Sequence, residues 1–152
     1  MSAQAGGLLG AMKMFKTLIV EDNTTFRESL KATLGTEFPL MIIEEAADGK
    51  VALEKVITFQ PDLIFMDIKL PGESGLDLTR RIKADDAGIV IIILTSYDLP
   101  EYREAGKQYG ADHFVSKGSS TREEILELVR SISSNSGLDL PDPEGNGDSS
   151  MT

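Results

Sequence analysis

Hydrophobic residues fall along this chain in two rhythms. Short stretches with an apolar centre occur at Lys16–Val20, Leu40–Glu45, Leu63–Asp67, Ile89–Leu94 and Asp112–Ser116, with the length of strands. Between them, apolar residues recur at helical spacing. Phe26, Leu30 and Leu34 mark a helix from Thr24 to about Leu34, with Gly35 as its stop. Val51, Leu53, Val56 and Ile57 give a second helix its apolar face, and Pro61 breaks it. A third opens at Ser74-Gly75-Leu76-Asp77, which resembles a capping box, and carries Leu78 and Ile82. The fourth is short and polar, with Asp98 as its cap, Pro100 in its first turn, Gly106 inside and Gly110 at its end. It is expected to be the least stable helix. The capping box Ser120-Thr121-Arg122-Glu123 starts the last, which carries Ile125, Leu128, Val129 and Ile132.

Five strands alternating with five helices predict an α/β chain with a parallel sheet covered on both faces. The length fits a five-stranded, flavodoxin-like doubly wound sheet of order 2-1-3-4-5. Residues 15–134 form the expected domain. Residues 1–14 are small and Gly-rich, without the basic start of a signal peptide, and read as a disordered extension. Residues 135–152 are rich in Gly, Pro, Ser and Asp and read as a disordered acidic tail. That tail is too short and too polar for a DNA-binding helix-turn-helix.

The formal net charge of −10 argues against binding of a phosphate backbone by this chain and leaves a divalent cation or a basic partner open. There is no cysteine, so a disulfide framework and a thiolate metal site are excluded. No apolar run has the ~20 residues of a membrane helix. The expected location is the cytoplasm.

In a parallel sheet all carboxyl strand ends share one edge, where α/β sheets place their ligands. Strand one ends on Glu21 and Asp22, strand three on Asp67, strand four on Thr95 and strand five on Lys117. Taken singly each has an ordinary reading: an acidic pair at a helix start, a capping aspartate, a strand-end threonine, a surface lysine. Taken together they bring three carboxylates to one place, where they repel unless a cation joins them. Without a His/Cys cluster the ion should be hard and oxygen-loving, as Mg²⁺ is. A lysine and a hydroxyl beside it suit a phosphoryl group. A carboxylate can act as nucleophile in phosphoryl transfer, and Asp67 is the candidate.

With these residues the chain resembles the receiver domain of bacterial two-component response regulators, and among them a stand-alone, chemotaxis-regulator-like receiver or one cut from a longer regulator. The resemblance runs from about Phe15 to Ser134. It rests on Glu21-Asp22 after Leu18-Ile19-Val20, on Met66-Asp67-Ile68-Lys69-Leu70-Pro71-Gly72 with Gly75 following, on Thr95-Ser96 and on Lys117. It implies that Asp67 accepts a phosphoryl group from a sensor histidine kinase or a histidine phosphotransfer protein. It implies that Asp22, Asp67 and the Lys69 backbone carbonyl hold Mg²⁺, with Glu21 reached through water. Thr95 and Lys117 would bind the phosphoryl oxygens, and Phe114 stands where the family has its switch aromatic. The output would pass to a downstream protein effector. Gly118 follows Lys117 where many relatives have proline, so a trans peptide is expected there.

Other functions compete. An aspartate-nucleophile phosphatase of the haloacid-dehalogenase type needs a second acid two positions after the nucleophile, and Lys69 stands there. A flavodoxin-like cofactor binder would want a phosphate loop after strand one, where Glu21-Asp22 repels phosphate. A receiver-shaped interaction module that is never phosphorylated would not need the full acidic and basic set. His113, Tyr97, Tyr102 and Tyr109 read as structural residues.

Overall fold

The computed structural model describes residues 14–138 and 140. Its five strands are β1 (Lys16–Val20), β2 (Ile42–Ala46), β3 (Leu63–Met66), β4 (Val90–Thr95) and β5 (His113–Ser116). Its helices are α1 (Thr24–Glu37), α2 (Gly49–Thr58), α3 (Gly75–Asp85), α4 (Pro100–Gln108) and α5 (Arg122–Asn135). The strands form one sheet in the order β2-β1-β3-β4-β5, every pair parallel, as the alternation predicts. The register sets Val20 beside Met66, Met66 beside Ile93 and Thr95 beside Ser116.

Side chains alternate across a strand, so an apolar run feeds two cores. Ile19, Phe65, Ile92 and Leu94 pack on one face with Leu30 and Leu34 of α1 and Leu126, Val129 and Ile132 of α5. Leu18, Val20, Ile64, Met66, Ile91 and Ile93 pack on the other with Ala52 of α2 and Leu78 and Ile82 of α3. The unbroken Leu63–Met66 run is the product of covering both faces, and all four residues are buried.

Several local expectations give way to packing. Gly35 does not stop α1, which continues to Glu37 and is capped by the fully buried Phe38. An interior glycine costs ~1 kcal/mol, which is less than burying a phenylalanine returns. β2 starts two residues late: Met41 is buried ahead of it, while Leu40 is 53% exposed. Ile57 is 75% exposed, because Ala52 takes the inner position of α2. Asp98 is not a cap. Leu99 holds that place without a side-chain bond, and Asp98 turns to Arg103 instead. The last capping box lies one residue on, between Thr121 and Glu124. Gly106 does sit inside α4, as its only buried residue.

The end of α5 is more ordered than its composition implies. Gly137 takes φ +77, its N–H donates to the Ser134 carbonyl, and the Leu138 N–H reaches back to that of Ser133. These are the two bonds of a Schellman stop. Leu138 and Leu140 then lie against the α1/α5 core, Leu140 only 9% exposed. Two leucines outweigh the polar composition around them locally. The rest of the expected tail, and of the extension before Met14, lies outside the described residues.

Among the described residues, Thr17 Oγ1 is the buried side-chain polar atom without a hydrogen-bond partner. Thr17→Val keeps the branched shape and removes the unpaired hydroxyl. It is expected to stabilise the fold by about 1 kcal/mol, read as a higher urea midpoint. A lower midpoint would show that the hydroxyl has a partner in solution.

Candidate functional site

The sheet brings the strand-end residues to one edge. Asp67 is the first residue past β3, and its N–H donates to the Val20 carbonyl of β1 at 3.1 Å. Its Oδ1 accepts from the Ile68 N–H at 2.8 Å, while Oδ2 lies 3.3 Å from Lys117 Nζ. Glu21 is the first residue past β1, tied by its N–H to the Ala46 carbonyl of β2. Its Oε2 accepts from the Asn23 N–H at 3.0 Å, and its Oε1 lies 2.5 Å from Lys117 Nζ. Glu21 is 3% exposed and Asp67 7%, whereas Asp22 is exposed. One oxygen from each of the three carboxylates lies within 4.8 Å of the others.

Lys117 stands at the end of β5, held by its N–H to the Thr95 carbonyl at 2.9 Å. Its side chain reaches past β4 to the carboxylates of β1 and β3. The ammonium also sits 4.3 Å from the centroid of the Phe26 ring on α1. Thr95 is fully buried, and its Oγ1 accepts from the Tyr97 N–H at 3.1 Å. Burial pushes the Glu21 carboxyl above the ordinary range; the bonds from Lys117 and Asn23 oppose this, and the Asp67 charge adds to it.

Glu21, Asp22, Asp67, Thr95 and Lys117 thus lie together. Glu21 touches Lys117 directly, a contact that the sequence reading did not include. Lys69 lies in the loop to α3, and its ammonium rests over two rings, 5.1 Å from the centroid of Tyr97 and 5.6 Å from that of Tyr102. Phe114 is half-buried on β5, beside Gly106 and under Arg103. The Lys117–Gly118 peptide is trans. Surface cavities of about 450 and 590 Å³ have other linings: Pro61, Asp62 and Ile89 for the first, Gly49, Leu53 and Pro71 for the second. Glu21 and Asp67 line only a small cleft with Phe26 and Leu94, and Asp22 is the carboxylate that faces solvent.

Arg27 was not legible as a site neighbour. It donates from Nη1 to the Glu21 carbonyl at 2.7 Å and from Nε to Glu45 at 3.0 Å, fixing the β1–α1 turn. Only its place one turn into a helix that follows an acidic pair hinted at this. Bonds from Lys31 and Arg27 hold the Glu45 carboxyl below the ordinary range.

The donor set fits a hard divalent cation. Three carboxylates gather within 4.8 Å, two of them nearly buried and paired with Lys117, and oxygens alone are offered.

Gly75 sets how α3 meets the loop that carries Asp67. Its N–H donates to the Ile68 carbonyl at 2.8 Å, and a Cβ on it would stand 1.8 Å from the Asp67 carbonyl oxygen. No flexible side chain can yield there, so backbone must move. Gly75→Ala is expected to cost about 1–3 kcal/mol in urea unfolding and to weaken binding of a divalent cation at the carboxylates. Unchanged stability would mean that this contact does not exist.

The family of the response regulator receiver domain matches residues 17–130. The transcriptional regulatory protein YdfI of Bacillus subtilis is 38% identical over 108 residues, covering 71% of this chain and 50% of that protein. The oxygen regulatory protein NreC of Staphylococcus carnosus is 33% identical over 118 residues, covering 77% and 54%. The chain therefore spans about half the length of these curated relatives. Among solved structures, a CheY-like response regulator receiver domain protein from Methanospirillum hungatei superimposes with a TM-score of 0.75 at 25% identity, covering 82% of this chain and 98% of that one. A LuxR-family two-component response regulator from Aurantimonas gives 0.73 at 26% identity, covering 88% and 93%. With its fold, its sheet-edge residues and these likenesses in agreement, the chain belongs to the response regulator receiver domain family.

Proposed function

We propose that this chain is the phosphoacceptor of a two-component phosphorelay, and that Asp67 takes the phosphoryl group. The observation that carries the reading is the placement of Asp67. One of its oxygens is tied to its own loop, and the other faces the Lys117 ammonium within a cluster of three carboxylates. Asp67 Oδ2 attacks the phosphorus of a phosphohistidine on a sensor kinase or phosphotransfer protein. The O–P bond forms, the P–N bond breaks, and the imidazole leaves. Lys117 exchanges Glu21 for a phosphoryl oxygen, and the Thr95 hydroxyl donates to another. Asp22, Asp67 and the Lys69 carbonyl, with Glu21 behind them, would hold Mg²⁺. Bound there, the ion offsets the repulsion between a carboxylate nucleophile and an anionic phosphoryl group.

The small cleft at Glu21 and Asp67, with Asp22 exposed beside it, suits a macromolecular donor better than an enclosed small substrate. Lys69, whose ammonium rests on two tyrosine rings, leaves no acid in the place that an aspartate-nucleophile phosphatase needs. The net charge of −10 favours a protein effector over direct binding of nucleic acid by this chain. The proposed place of action is the cytoplasm. No helix among the described residues is long and apolar enough to cross a membrane.

In Mg²⁺, wild-type protein is expected to take up label from acetyl phosphate and to respond to beryllofluoride, and Asp67→Asn to do neither, because an amide is not a nucleophile. Labelling of the variant at the wild-type level would move the nucleophile elsewhere.

Phosphorylation is expected to draw Thr95 toward the phosphoryl group and to repack Phe114, shifting a population between two arrangements of α4 and β5. Amide exchange with and without beryllofluoride measures this. Protection that does not change from Tyr97 to Val115 would exclude it.

A further inference from the structure

One charged pair outside the carboxylate cluster is built onto an apolar side chain. Asp98 stands in the loop between β4 and α4, and Arg103 on the first turns of α4. Arg103 Nε lies 2.6 Å from Asp98 Oδ1, and its Nη2 lies 3.2 Å from Oδ2, a two-pronged contact. The guanidinium carbon sits 4.7 Å from the centroid of the Phe114 ring. Gly106 lies three residues after Arg103, on the same face of the helix. A Cβ on Gly106 would meet Ile93 Cδ1 of β4 at 3.0 Å and Phe114 Cδ2 at 3.5 Å, so the glycine lets α4 lie close to the sheet with the ring at its side. Phe114 thus lies beside Gly106 with Arg103 over it.

The loop that carries Asp98 also carries Thr95 and Tyr97, joined by the Tyr97 N–H to Thr95 Oγ1 at 3.1 Å. A displacement of Thr95 is therefore passed toward Asp98 within three residues. An exposed ion pair by itself stabilises little. Here Asp98 removes the rotamer freedom of Arg103, so stacking on the ring costs less entropy than it would for a free arginine. Without that stack the ring keeps its packing against the core and loses the cover that Arg103 gives it.

We propose that the Asp98–Arg103 pair is a latch that holds Phe114 in its resting packing against α4, and that movement of the β4–α4 loop releases it. Arg103 is a positioning residue for the aromatic, and Asp98 positions Arg103. The latch rests on the reading of Asp67 as phosphoacceptor. If it is real, removing it lowers the cost of the other packing, and a ligand that selects that packing binds more tightly.

The test is a beryllofluoride titration of the full chain in excess Mg²⁺, followed by the amide resonances of Gly106 and Phe114. Arg103→Met keeps an apolar stem and loses the fork; Asp98→Asn keeps the shape and loses the charge. Each is expected to bind beryllofluoride about three- to tenfold more tightly than wild type, the size of one exposed pair plus one exposed cation–π contact. The double variant is expected to bind no more tightly than Arg103→Met alone, since both substitutions open the same latch. Wild-type or weaker affinity in both single variants overturns the latch, and so does an additive double variant. Wild type and Asp67→Asn are titrated alongside. A silent wild type, or an Asp67→Asn that responds normally, overturns the phosphoacceptor reading. A wild type that responds, an Asp67→Asn that does not, and unshifted latch variants overturn the latch alone.

Discussion

Two carboxylates almost without solvent access, Glu21 and Asp67, sit at the ends of neighbouring strands and share one ammonium. Burying a charge costs several kcal/mol unless a partner and hydrogen bonds compensate it. Lys117 is that partner, and the architecture around it serves to deliver it. Its backbone is fixed by β5 pairing with β4, and only a long side chain can cross from there to β3 and β1. A short cation in the same place would leave both carboxylates unpaired. Phe26 covers the ammonium from the α1 side, and the Asn23 and Ile68 N–H groups bind the oxygens that Lys117 does not reach.

The two-sided core makes this arrangement affordable. Strands buried on both faces hold their ends in register, so polar groups can gather at one edge without disturbing the interior. Stiffness is not uniform along that edge. Gly75 fastens α3 to the Asp67 loop by close backbone contact. The β4–α4 segment is held more lightly: α4 has no side-chain cap, one buried residue, and an exposed clasp of Lys69, Tyr97 and Tyr102 at its start. Low local burial of this kind is where a change of packing costs least. The region beside the candidate nucleophile is therefore firm at Asp67 and loose at Thr95 and beyond.

The alternation of apolar runs with helical spacing was enough to read five strands, five helices and the strand order. Burial on both faces leaves an unbroken apolar signature, and right-handed crossovers leave few topologies. The carboxylates, Thr95 and Lys117 were legible for a related reason: a polar residue that ends an apolar strand is pinned to the carboxyl edge by the chain direction alone. Helix stops and caps were less legible. Gly35 and Asp98 carry strong local signals, yet Phe38 burial overrode the first and an arginine one turn away captured the second.

What the tertiary structure alone decided is which groups meet across elements. That Glu21 pairs directly with Lys117, that Arg27 braces the Glu21 carbonyl, and that Arg103 and Gly106 flank Phe114 depend on distances between separate elements. Leu138 and Leu140 joined the core for the same reason. A pattern of residues records which face each side chain prefers, whereas the partner waiting on that face is set by how the helices lie on the sheet.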